Sequence, residues 1–538
     1  SCLAYARSRP LWIVAEILRN ILRLAEPDPV EKQHETLKVY LNYLGLPASD
    51  LLPYLYTVLG LPQTDPETEM RLSLLDAAML QRQTHAALRQ VLVAEAHHAP
   101  TVLIFDDLHW VDPASRDFLE YLIQTSVDVP LLLVLVSRDL ERQTVIAPVL
   151  ALAQKHPARL LDIQLRPLSP DEAGQLIDQL LAQPSAALSA LQARIVARAD
   201  GNPFFIEELV RILIERGGLA RSGETWEVPP GSEDLMQDVP GTLKGLILAR
   251  FDRLPDQPRR RLQMAAVIGR SFPAGLLRHL NPAAPAGLTN DLALLTLRQF
   301  LADEAFGAEA GYSFRHALVQ EAVYGTLLKR DLQRLHEQIA EAIETTHFWE
   351  GDERTEVLAY HFAESRSPAR AVPYLLAAAQ NAARRYANQT AIQHYRRAIS
   401  LMQDAVVVQP AEMTRARLGL GQSLKFMGQF GEAAGVLAEA VLDIQRWPEV
   451  GAAAGLLLLT EALRELGDVR QREGAWEDAF AHLEAAQTAL GENAAGVYPA
   501  LWRPLMERMA WIRFRQGKVD EALRLARLAT DGLDLKRS

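Results

Sequence analysis

Two short apolar runs, TVLIF at 101–105 and LLLVLV at 131–136, bracket a segment that opens with two aspartates and continues into a helix start. Runs of this length, rich in Val, Ile and Leu without polar alternation, suit strands in the interior of a parallel sheet. The connecting segment decides the pairing. Asp112 is a good N-cap and Pro113 fits the first helical position, so a helix is expected from there to about Ser126. Strand, helix and strand at this spacing form one right-handed crossover with parallel strands. Pro100 ends a preceding helix expected near Ser73–His98. Asp106 and Asp107 then fall at the C-terminal end of the first strand, where open α/β sheets bind ligands.

In nucleotide hydrolases an acid at that place helps hold Mg2+, usually through water, and a neighbouring acid can orient the attacking water. Asp106 is therefore the metal-side candidate and Asp107 the water-side candidate. In a second reading both acids simply open a loop and solvate its turn, and spacing alone does not choose. The second run ends in Ser137-Arg138. A cation there could sense a γ-phosphate across the crevice, or close the strand as an exposed arginine paired with Asp139.

Further along, Ser169-Pro170-Asp171-Glu172 reads as a capping box that opens the helix EAGQLIDQLL. Another helix ends at Asp200-Gly201-Asn202-Pro203, where FFIEELVRILIERG begins. LARSGETWEV at 219–228 alternates around Ser222-Gly223 as a small hairpin. Residues 240–345 read as helices with one more hairpin near Phe300–Phe314, an arrangement of three helices and a two-stranded wing. After about residue 350 only helices remain, and a pattern recurs: YANQTAIQHYRRAISL, MGQFGEAAGVLAEAV, REGAWEDAFAHLEAA, RQGKVDEALRLARLA. Gly428, Gly474 and Gly517 each precede an aromatic or apolar residue by two positions, and an alanine follows three later. Small residues at fixed offsets let paired helices approach closely, and each pair must stack on the next to bury its apolar face. This is the pattern of tetratricopeptide repeats, here with spacings above the usual ~34 residues, so with long repeats or variable loops.

The totals set outer limits. A chain of 538 residues holds about three to five domains. Its longest apolar runs, 130–136 and 455–459, fall short of the ~18 residues that cross a bilayer. Arg7, Arg9 and Pro10 break the first apolar stretch, so no signal peptide opens it, and Cys2 is the sole cysteine, so there is no disulfide framework. A soluble protein of a reducing cytoplasm is expected, with no membrane partner. The net charge of −11 argues against a chain-wide nucleic-acid surface. Arg259–Arg261, the densest basic run, reads as a solvated helix end, and Trp110 as an aromatic packed beside the strand mouth. His97, His98 and His109 lack zinc partners, and neither HExxH nor GxSxG occurs. The start at Ser1 and the stop after GLDLKRS suggest a fragment with both natural ends missing.

With these motifs in order, the chain resembles the STAND ATPases, signal-transduction relatives of the AAA+ ATPases with large appended domains. VLIFDDLHWVDPASRDFL is similar to their Walker B region and LLLVLVSRDL to their sensor 1 strand. ADGNPFFIEELVRILIERG resembles the GxP segment, and VPGTLKGLILARFDRLP and YSFRHALVQEAVYGTLL the winged-helix portion that follows. The likeness runs over nearly the whole chain. It is strongest to bacterial members that carry a class III adenylate/guanylate cyclase or a LuxR-type helix-turn-helix.

The resemblance implies a partial α/β P-loop NTPase core at 1–165 and a helical lid at 166–235. A winged-helix domain at 236–345 and an all-α tetratricopeptide solenoid at 346–538 would follow, for a mostly helical fold overall. It implies ATP/ADP and Mg2+ as cofactors. Asp106 would bind the metal through water, Asp107 would polarise the catalytic water and Arg138 would contact the γ-phosphate. Pro203, with Gly201, would bring backbone close to the adenine, and His316 would touch the β-phosphate of ADP in an off state. Ala317 stands after His316 where many eukaryotic relatives have aspartate. No G-x-x-x-x-G-K-[ST] occurs: Gly517-Lys518 is followed by Val519 and is placed in a repeat helix. The family's phosphate loop precedes the region where this chain begins, so this chain alone is expected to bind nucleotide weakly or not at all.

The implied function is a nucleotide-controlled switch that couples an unidentified protein or small-molecule ligand at the repeats to an output domain, with oligomers on activation. The competing reading is a scaffold that works through its repeats alone, with a degenerate core. DNA binding by the winged-helix portion ranks well below both.

Overall fold

The computed structural model describes residues 11–22, 29–65, 68, 72, 77–108, 111–126, 128–138, 147–155, 157–181, 188–222, 225–229, 240–281, 287–306, 309–349, 351–385, 387–404, 410–446, 453–491 and 494–530. The chain forms two compact units, one of Ser1–His156 with Trp349–Ser538 and one of Pro157–Phe348. It is mostly helical, with small sheets.

The first unit opens with helices α1 (Trp12–Leu22), α2 (Val30–Tyr43), α3 (Ala48–Leu59) and α4 (Ala77–His98). Strand β1 (Thr101–Phe105), helix α5 (Pro113–Thr125), strand β2 (Leu131–Leu135) and helix α6 (Ala147–Ala153) follow. β1 and β2 pair in parallel, from Thr101 opposite Leu131 to Phe105 opposite Leu135. Leu103 and Phe105 enter a core shared with Leu18, Leu41, Leu55, Leu88, Phe118 and Leu122. The opposite face of the pair is open: Val102, Ile104 and Leu132 are 55%, 64% and 58% exposed. A strand in the interior of a parallel sheet is buried on both faces, and this pair is not. Continuous apolarity shows that both faces of a strand suit a core, and only packing shows which of them is covered.

The second unit contains α7 (Pro170–Leu181), α8 (Ser189–Ala199), α9 (Pro203–Glu215) and the antiparallel strands β3 (Ala220–Ser222) and β4 (Thr225–Glu227). The capping box is formed: Ser169 N–H donates to Glu172 Oε2 at 2.8 Å and Glu172 N–H to Ser169 Oγ at 3.3 Å. Next come α10 (Leu243–Phe251), α11 (Asp256–Ile268), β5 (Ser271–Pro273), α12 (Ala274–Leu280) and α13 (Leu288–Leu297). β6 (Leu301–Phe306), β7 (Glu309–Phe314), α14 (Ala317–Tyr324) and α15 (Lys329–Thr345) complete the unit. β6 and β7 form the expected hairpin, and β5 joins it in an antiparallel sheet of order β5-β7-β6. A three-residue strand is too short to show a pattern. Arg261 corrects the solvated reading of the basic run, because it is buried against Asp291. The hairpin glycine Gly223, with His109 and Trp110, lies outside the described residues.

The rest of the first unit starts at α16 (Gly351–Ala363) and continues as stacked antiparallel helix pairs. These are α17 (Val372–Arg384) with α18 (Asn388–Gln403) and α19 (Pro410–Phe426) with α20 (Phe430–Arg446). Then come α21 (Ala453–Arg472) with α22 (Trp476–Leu490), the short α23 (Ala494–Val497), and α24 (Pro499–Arg515) with α25 (Val519–Thr530). The repeat glycines do a different job from the one their spacing suggested. Gly428, Gly474 and Gly517 have φ of 75°, 84° and 77° in the turns between paired helices, and a Cβ there would meet nothing. They supply left-handed backbone. Gly517-Lys518 therefore sits in a turn and not in a helix. Close helix approach falls instead to Gly421 and Gly467, whose added Cβ would lie 2.5 Å from Leu437 and 3.0 Å from Leu483. Among the described residues no helix is long and apolar enough to cross a membrane.

Candidate functional site

The six candidate residues fall into two groups, one in each unit. At the strand mouth, Val136 N–H donates to Phe105 O and Leu108 N–H donates to Val136 O, both at 2.9 Å. These bonds hold the chain on either side of Asp106 and Asp107, which bulge out of the ladder between them. Asp107 takes a left-handed φ of 53°, uncommon for a residue with a Cβ, and its N–H donates to Asp106 Oδ1 at 2.9 Å. Asp106 is exposed and Asp107 half-buried. Arg138, exposed, follows Val136 by two residues at the same end of the strand pair. The parallel pair thus brings Asp106, Asp107 and Arg138 to one edge.

A third acid at this mouth does structural work. Asp112 is buried, caps α5 by accepting from Ser115 N–H at 2.9 Å, and accepts from Leu11 N–H at 3.0 Å. Burial pushes its carboxyl up to about 6, although those hydrogen bonds pull the other way.

The second group gathers at the N-terminus of α9. Asp200 and Gly201 are left-handed, at φ 48° and 70°, and turn the chain from α8 into α9. A Cβ on Gly201 would lie 2.5 Å from the Leu168 carbonyl oxygen, so the contact within this unit already requires glycine there. The Asn202 side chain accepts from Phe205 N–H at 3.2 Å, with Pro203 in the first turn. The Phe204 ring then lies 4.0 Å from the His316 ring, tilted by 44°. His316 is the N-cap of α14 but makes no side-chain cap hydrogen bond. Burial holds its imidazole below the ordinary value, with Glu208 opposing and Arg315 assisting. Pro203 and His316 are thus neighbours through Phe204.

One turn into α9 lies a cluster that no sequence motif marks. Glu208, 1% exposed, pairs with Arg250 of α10, 4% exposed, and with Arg211. Arg250 also lies 3.6 Å from Glu215, donates to the Arg298 carbonyl at 2.5 Å and sits 4.9 Å above the Phe300 ring. A signal was present in FFIEELVRILIERG. Glu208 falls on the same helical stripe as Phe205, Leu209 and Ile212, all buried.

The strand-mouth acids suit one kind of metal site. Mg2+ usually takes one or two carboxylates and fills its shell with water and phosphate oxygens. Asp106, with Asp107 beside it, matches that demand. Among the described residues no group of three or more His, Cys, Asp or Glu side chains could cage a metal unaided. The phosphate-cradling loop is missing from the sequence. The cavity between α10 and α14, lined by Leu243, Lys244, Ile247, Leu318, Glu321 and Ala322, holds about 110 Å3. A ligand pocket runs to roughly 300 Å3 or more.

Residues 1–136 match the AAA ATPase domain family. An uncharacterized protein of Rhizobium meliloti (strain 1021) is 27% identical over 328 residues, 61% of this chain and 30% of that protein, so the chain spans under a third of this relative. One similar solved structure is a signal transduction ATPase with numerous domains, with a tetratricopeptide repeat sensor, from Pyrococcus horikoshii. It is 12% identical at a TM-score of 0.38, over 94% of this chain and 76% of that one. Another, the APC/C hetero-tetramer Cut9-Hcn1, is 13% identical at a TM-score of 0.19, over 95% and 86%. Both superpositions are loose. An AAA-type ATPase domain at the N-terminal end is thus the part of the reading that the comparisons support.

Proposed function

We propose that this chain belongs to a cytoplasmic, regulatory STAND-type ATPase switch. One observation carries the reading. In a region that matches an AAA ATPase domain, two carboxylates bulge from the C-terminal end of a parallel strand pair, with an arginine at the same edge. Asp106 would hold Mg2+ through water, Asp107 would orient the attacking water and Arg138 would read the γ-phosphate. When bound, Mg2+ would neutralise charge on the phosphates. Gly201 and Pro203 would border the adenine, and His316 the β-phosphate of ADP.

In this reading 1–165 is the partial nucleotide core, 166–235 a lid, 236–345 a winged helix and 346–538 a tetratricopeptide sensor for a protein or small ligand. Nucleotide state sets the position of the winged helix and thereby controls a cyclase or DNA-binding output, with self-association on activation. Coupling requires that ligand and nucleotide favour different conformations. The test is calorimetric titration of ATP and ADP, with and without Mg2+, into the intact gene product. Asp106→Asn should weaken Mg-ATP about tenfold or more, while Mg2+-free ADP stays within about threefold. Equal Mg-ATP affinity in both proteins would sink the reading. A second reading is a repeat scaffold with an inactive core, which predicts no binding by either protein.

A further inference from the structure

We infer that the buried Glu208–Arg250 pair is a releasable latch that fixes the α10–α15 half of the second unit onto lid helix α9, and so keeps His316 against Phe204. Its importance for signalling rests on the switch reading above; the latch itself is a property of the geometry.

The two halves meet along α9 and α10. Leu246 of α10 is fully buried in the core that α7, α8 and α9 build, and Arg250 lies one turn further along the same helix. Arg250 gathers contacts from both sides. Glu208 and Glu215 approach it from α9, while the Arg298 carbonyl and the Phe300 ring approach from the segment leading into β6. Arg298 itself reaches Glu215 at 3.5 Å. One arginine thus ties the lid helix, α10 and the root of the β6–β7 hairpin to a single point. β7 ends at Phe314, and Arg315 and His316 follow directly, so whatever fixes the hairpin also fixes His316.

A buried ion pair is a poor way simply to stabilise an interface. Apolar residues of similar volume are often as good or better, because neither charge must leave water. What a charged pair adds is an open state with a low penalty: once parted, both groups regain hydration, whereas a parted apolar contact exposes surface to water. The network is also unsaturated. Arg250 Nε is buried without a hydrogen-bond partner. These traits suit an interface that holds one geometry and can be left.

The experiment is native-state hydrogen exchange on the intact protein, read at α10 and at 298–301. Arg250→Met leaves Glu208 buried with only Arg211, and exchange there should quicken about tenfold or more. Glu208→Leu with Arg250→Met removes both charges, and exchange should return to the wild-type rate or below it. Wild-type exchange in Arg250→Met would overturn the latch. If that variant does not fold, Arg250→Lys is read in its place, since it keeps the charge and loses the Arg298 and Phe300 contacts. Fluorescent ADP is titrated in parallel. Faster exchange with no ADP binding to wild type leaves the latch standing and removes the switch. ADP binding to wild type with unchanged exchange in the variant does the reverse.

Discussion

The strand mouth and the α9 junction place carboxylates in opposite surroundings. Asp106 stands in solvent on a loop that the backbone ladder pushes outward. Glu208 is enclosed between two arginines inside a helix interface. An exposed acid contributes little to folding. A buried acid can be needed by the fold alone. Motif reading finds the first kind, because the signal is local. It passes over the second kind, whose partner Arg250 lies 42 residues away in sequence.

Removing each carboxylate in turn and measuring urea unfolding separates the two sites. Glu208→Ala leaves Arg250 without its main partner and should cost about 3–5 kcal/mol. Asp106→Asn should stay within about 0.5 kcal/mol of wild type, as surface changes do. Similar losses would show that the strand mouth is as much a structural element as the junction.

These particulars also show what local patterns carry. The parallel β1–β2 pair, the Asp112 cap, the Ser169–Glu172 capping box and the β6–β7 hairpin were all legible, because each depends on neighbours within a few residues or on one short crossover. Three features were not. The open face of β1 depends on what packs against it. The burial of Arg261 depends on Asp291, which no spacing rule connects to it. The repeat glycines were placed correctly and given the wrong task, since a turn and a close contact both select glycine. Of the site, the acids and Arg138 at one strand edge were readable. The Phe204–His316 contact was not, because more than a hundred residues separate its partners.

Within the strand mouth, Asp112 is buried as Glu208 is. Asp112→Ala removes the α5 cap and the acceptor for Leu11 N–H, and should cost about 1–2 kcal/mol. Its pH signature is specific. The folded carboxyl is raised to about 6 from an ordinary 3.8, so the native state holds more proton between those values. The stability it contributes is complete below 3.8 and is lost as pH rises through 6. Asp112→Asn cannot ionise, so unfolding curves of variant and wild type should diverge in favour of the variant across that window. His85 of α4, buried against Phe118 of α5 and held near 4, carries the opposite sign. Its contribution is present above 6.5 and lost as pH falls toward 4. His85→Phe should therefore flatten the acid limb of the stability curve, and an unchanged limb would remove His85 from the account.

The smallest effect concerns His316, where burial and charge compete. Burial lowers its pKa, Glu208 raises it, and Arg315 and Arg211 lower it. Followed by NMR, its ring should titrate below 6.5. Phe204→Ala uncovers the imidazole without touching any of those charges, so the midpoint should rise toward 6.5. Glu207→Gln removes a charge that raises the imidazole, leaves the Glu208–Arg250 pair and the ring contact in place, and so should lower the midpoint further. Opposite shifts would show that Phe204 and Glu207 act on His316 separately, one through solvent exclusion and one through charge. If Phe204→Ala leaves the midpoint in place, the ring contact does not shield His316. The imidazole would then be as open to water as Asp106 is at the strand mouth.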